Sequence, residues 1–184
     1  MTRLLTLCAI TAVLALMAAV AFAESASVTI TGGSLTSTPA NVTLSGVTLD
    51  GTDQTATSTA DSWQIVDARG TGAGYCLTID SGDFSDGSHT IDISETDQEF
   101  KIQIQDVDTV CNVGDCTNMP ASQVSTQTVI TTNPATLNIL SAATDEGMGD
   151  YNYDPDFELE VRAETYAGSY TATITVTANS GACV

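Results

Sequence analysis

Two stretches concentrate hard oxygen ligands. "DSGDFSDGSH" sets Asp80, Asp83 and Asp86 among flexible Gly and Ser, and "DEGMGDYNYDPDFE" holds Asp145, Asp150, Asp154 and Asp156. Carboxylates on loops are what Ca2+ takes as ligands, so calcium is the one cofactor the residues offer, although neither spacing follows the EF-hand register. The competing reading is ordinary acidic turns and no cofactor. The single histidine, His89, closes the first stretch in a turn-like context, and nothing pairs it with an activated nucleophile. Among 23 acids, chance proximity of two carboxylates is expected, so a glycosidase-like pair carries no weight. The chain reads as non-catalytic.

The cysteines do other chemistry. The chain opens "MTRLLTLCAITAVLALMAAVAFAES": Arg3, an apolar run from Leu4 to about Val20, then Ala21-Phe22-Ala23 as an A-x-A cleavage signal. Residues 1–23 therefore read as a signal peptide, and Cys8 leaves with it. Cys76, Cys111, Cys116 and Cys183 remain, an even number in a secreted chain, which predicts two disulfides from three possible connectivities. The ends of "CNVGDC" meet easily across a short Gly/Asp loop, which pairs Cys111 with Cys116 and leaves Cys76 for Cys183. A metal at this C-x4-C spacing would want a nearby histidine, and none is there.

Cleavage leaves Arg69, Lys101 and Arg162 against 23 acids, a net charge of −20. Such a surface repels nucleic acid and anionic lipid, whose binding depends on free lysines and arginines. It favours solubility, cations, or neutral and cationic polymers. No second apolar run of membrane-spanning length follows the leader, so the product is expected to be secreted and held at a surface without a membrane span.

The elements that position these residues are short and alternating. "SVTITGG", "NVTLSGVTL", "DSWQIVDA", "YCLTID", "EFKIQIQD", "ATLNIL", "FELEVRA" and "SYTATITVTA" each alternate apolar with polar residues between Gly, Asp, Asn, Ser or Pro. About eight such strands predict an all-β antiparallel β-sandwich of Ig-like or Greek-key type, a single disulfide-stapled domain over 24–184. The weakly patterned stretch near 106–130 reads as a disulfide-clipped loop. In "DARGTGAGYCLTID", residues 67–80, three glycines occupy five positions. A dinucleotide-binding G-x-G needs a helix directly after it to hold the pyrophosphate, and here a strand pattern follows. Gly70, Gly72 and Gly74 therefore read as a hairpin or bulged corner that needs positive φ. Asp67 and Arg69 alternate onto one face, where a structural ion pair pinning the corner is expected in preference to a ligand site.

At these residues a resemblance emerges. "GGSLTSTPANVTLSGVTLDGTDQTATSTADSWQIVDARGTGAGYCLTI" and "GMGDYNYDPDFELEVRAETYAGSYTATITVTANSGA" resemble the two halves of WxL-domain proteins, a cell-wall-binding surface family of Gram-positive and related bacteria. The resemblance implies an all-β domain at the cell surface or cell wall, with a peptidoglycan-type cell-wall polymer or other surface proteins as partners. Where the family carries its first W-x-L this chain has Tyr75-Cys76-Leu77, and in place of the second it has Val176-Thr177-Ala178. Its only tryptophan, Trp63 in "WQI", lies at another position. Tyr75, Leu77 and Trp63 stand as candidate ligand contacts, since an exposed aromatic suits a sugar ring. The alternative for Tyr75 is core packing, with Leu77 on its face two residues on. Two functions follow: attachment to the wall, or a structural subunit that assembles through strand edges with no polymer ligand.

Overall fold

The computed structural model describes residues 25–59, 62–130 and 136–184; the leader read over 1–23 lies outside them. Residues 25–30 carry no regular secondary structure. From Thr31 to Val184 the chain forms one compact unit, built of fourteen strands and one 3-10 turn among the described residues.

Three four-stranded antiparallel sheets make up the domain. The first contains β1 (Leu35–Thr38), β3 (Trp63–Asp67), β12 (Gly149–Tyr153) and β8 (Thr109–Gly114), in that order. The second runs β10 (Thr128–Val129), β7 (Phe100–Gln103), β13 (Asp156–Val161) and β2 (Gln54–Thr59). The third runs β14 (Ile174–Ser180), β4 (Tyr75–Ser81), β11 (Leu137–Ala142) and β9 (Ala121–Ser122). A small ribbon pairs β5 (Phe84–Ser85) with β6 (Thr90–Ile91), and is the one pairing of strands adjacent in sequence among the described residues. Every other ladder joins strands distant in the chain, so the sandwich is held by long-range contacts.

The period-2 pattern explains which faces are buried. In β3, Trp63, Ile65 and Asp67 point inward, and in β13, Phe157, Leu159 and Val161 do so. β4 is buried at all seven positions, since it lies between β14 and β11. Aromatic contacts run across the core from Tyr153 to Trp63 (6.0 Å), to Phe157 (5.7 Å), to Phe100 (5.5 Å) and to Phe84 (5.0 Å). Such edge and stacked pairs add to the area they bury.

Two strand expectations and two loop expectations are corrected. The stretch 27–33 forms no strand, and pairing to β3 starts where Gly33 donates to Ala68 O. "NVTLSGVTL" alternates as expected but joins no ladder. Val42, Leu44, Val47 and Leu49 instead pack on the core as a strap, tied to β2 by Ser45 N to Thr57 O at 2.9 Å. The stretch 106–130 is not one loop: it contains a 3-10 turn at Asp106–Asp108 and then β8, β9 and β10. β12 lies in what reads as an acidic loop, where Tyr151 and Tyr153 supply the buried alternation.

Candidate functional site

The glycine-rich stretch is a corner between sheets and not a hairpin, because β3 and β4 belong to different sheets. Gly70, Gly72 and Gly74 all have positive φ, 66°, 62° and 67°, a region that costs L-residues with side chains. At Gly74 a Cβ would also strike the carbonyl oxygens of Ala142 and Ala143. Gly72 O accepts from Asp145 N at 2.8 Å, which joins the corner to the turn between β11 and β12.

An ion pair fixes this corner. Arg69 grips Asp67 with two bonds, Nε to Oδ1 at 2.9 Å and Nη2 to Oδ2 at 2.7 Å. The same guanidinium donates to Gly74 O at 2.7 Å and to Ser180 Oγ at 2.6 Å. The Asp67 side chain is 1% exposed. Its hydrogen bonds to Arg69 hold its carboxyl below the usual carboxylate range, against the opposing effect of burial. Gly181 N also donates to Gly74 O at 3.1 Å, and the Cys76–Cys183 disulfide, with Cα atoms 4.7 Å apart, staples the carboxyl-terminal end to β4. The second disulfide joins Cys111 on β8 to Cys116. The charged groups of the corner, Asp67 and Arg69, are spent on the protein itself.

The three candidate ligand contacts are core residues. Trp63 is 1% exposed, and Tyr75 and Leu77 are fully buried, so none offers a face to a polymer. Burial drives the Tyr75 phenol far above its ordinary pKa, and its hydroxyl has no hydrogen-bond partner. The register sets Leu77 opposite Ala178 and Ile79 opposite Val176. The positions of the two family motifs thus lie on neighbouring strands, the first buried in β4 and the second on the edge strand β14, where Val176 and Ala178 are half-buried and Thr177 is exposed.

Among the described residues no three His, Cys, Asp or Glu side chains, those of the two acidic clusters included, are grouped to hold a metal. Their carboxylates serve local structure. Asp83 Oδ1 accepts from Ile93 N, and Asp86 Oδ1 accepts from Ser88 N and His89 N. Asp80 lies within β4. Asp150 sits on β12, where Oδ1 bridges Gln64 of β3 and Asn112 of β8. Asp154 follows that strand and Asp156 begins β13.

A hollow of about 280 Å3 is lined by Trp63 and Val176 with Pro39, Val42 and Ile174, and a more voluminous one lies elsewhere. A groove of about 640 Å3 opens between the strap, with Leu44, Val47 and Leu49, and the loop of Thr165, Tyr166 and Tyr170. Its core side is formed by Phe84, Ile91 and Leu159, so the aromatic chain of the core ends in it. The volume falls within the roughly 300–1,000 Å3 usual for ligand sites. On its rim the Tyr166 ring stacks on His89, centroids 4.0 Å apart and planes 16° from parallel. Tyr166 remains 65% exposed. The sequence reading missed this pair; the available signal was an aromatic in a Gly/Ser loop, "TYAGSY", that no alternating pattern claims.

The model of the family described as WxL domain surface cell wall-binding matches residues 19–180. The chain belongs to that family, which gives it a role in association with the cell wall at the cell surface. No curated protein and no solved structure matches the chain. No helix among the described residues is long and apolar enough to cross a membrane.

Proposed function

We propose that this is a secreted, non-catalytic domain that holds to the bacterial cell wall without a covalent link, through the groove face and not through the positions of the family motifs. The observation that carries the reading is the family match over residues 19–180. The first motif position is buried in β4 and the second, half-buried to exposed on the edge strand β14, offers no aromatic ring, whereas the groove and its rim are exposed and carry Tyr166. A catalytic role has little to work with, since among the described residues the His89 ring meets Asp86 at 3.2 Å and the Tyr166 ring, and no nucleophile is hydrogen-bonded to it.

A second reading has its own observation. β8 is an edge strand with Val110 and Val113 exposed at 53% and 70%, and an unpaired edge bearing apolar side chains can add a strand from another surface protein. One sedimentation experiment separates the two. The purified protein is mixed with isolated cell walls before and after protease treatment of the walls. Undiminished retention on protease-treated walls is the expected result. Retention that vanishes with the wall proteins assigns the function to the β8 edge.

A further inference from the structure

We propose that the stacked rings of Tyr166 and His89 are a platform for the sugar rings of an uncharged wall glycan, with the adjoining groove receiving its next units. The proposal rests on the wall-binding reading above and adds the ligand class and the contact residues.

The platform is built before any ligand arrives. Tyr170 Oη donates to Tyr166 O at 2.9 Å, which fixes the loop that carries the ring. His89 is held through its backbone N, 2.6 Å from Asp86 Oδ1, and through Nδ1, 3.2 Å from Asp86 Oδ2. Two rings immobilised in the free protein lose little further entropy on binding. An aromatic face is electron-rich and apolar, and it complements the C–H face of a pyranose whose hydroxyls point outward. Thr48, Thr165 and Ser169 along the groove place hydroxyls within its lining, where a sugar's rim can find partners.

Charge selects the glycan. Every lysine and arginine that survives leader cleavage is paired within the protein: Arg69 with Asp67, Lys101 with Glu99 and Glu160, and Arg162 with Glu95 and Asp97. An anionic wall polymer would meet a side-chain net charge of −20 with no uncommitted lysine or arginine. A neutral glycan meets no such repulsion, and the carboxylate nearest the rings, Asp86, already accepts three hydrogen bonds.

The test compares the wild type with Tyr166→Ala and Tyr166→Phe on protease-treated walls, with and without chemical removal of the anionic polymers. The wild type is expected to bind both preparations equally. Tyr166→Ala should bind about tenfold more weakly, the loss expected of one contact residue of the hot-spot kind, with an unchanged melting temperature, and Tyr166→Phe should bind as the wild type does. Equal binding by Tyr166→Ala overturns the platform, and retention lost with the anionic polymers overturns the neutral ligand. A wild type that no wall retains refutes the wall-binding reading by itself. A soluble β-1,4-linked N-acetylglucosamine tetramer then decides the platform: NMR shifts of the His89 and Tyr166 ring protons on titration uphold it, and unshifted rings overturn it.

Discussion

Gly74→Val is expected to lower stability by at least about 3 kcal/mol, above the usual range for a forced backbone conformation. Two effects combine at this position: φ is +67°, and a Cβ would enter the space of two main-chain carbonyl oxygens that cannot rotate away. Gly70 gives the control, because its φ is +66° but nothing lies within 4 Å of a Cβ there. Gly70→Ala should therefore show the backbone effect alone, about 1 kcal/mol. Denaturant unfolding of both variants measures the difference. Similar small losses at the two positions would refute the packing role assigned to Gly74.

Replacing Cys76 and Cys183 together by Ala is expected to cost about 4–5 kcal/mol, because the bond closes a loop of roughly a hundred residues in the unfolded chain. The two cysteines are 107 positions apart, whereas Cys111 and Cys116 are 5 apart. The same chain-entropy relation gives about 2 kcal/mol for the short loop. Domains of this size have about 5–15 kcal/mol in total, so the long-range bond decides whether the corner survives warming. Thermal and denaturant unfolding of the two double variants gives the order, and a larger loss from the Cys111/Cys116 pair would contradict it.

Strands with one buried face were legible in the sequence. "WQIVD" and "DFELEV" show their apolar residues at period 2, and the structure buries those residues. The corner was legible too, since glycine adopts the positive φ values of "RGTGAG" without the steric cost a side chain brings. Other segments misled for physical reasons. "NVTLSGVTL" has the alternation of a strand, but alternation reports only that one side is buried, and a strap lying on the core meets that condition without a ladder. "GDYNY" hid a central strand behind acidic and glycine residues, because Asp150 and Asn152 face the neighbouring strands' polar side chains. The groove left almost no local trace. Its walls come from residues 44–49, 84–91 and 159–170, and no spacing rule joins segments so far apart.

The most direct test of the central claim, that the glycine corner is frame and the groove face makes the contact, is hydrogen exchange of the protein bound to protease-treated walls against the free protein. Added protection is expected at residues 43–49, 86–89 and 165–170, with residues 67–80 unchanged. Protection concentrated at 67–80 and absent from the groove would contradict the account.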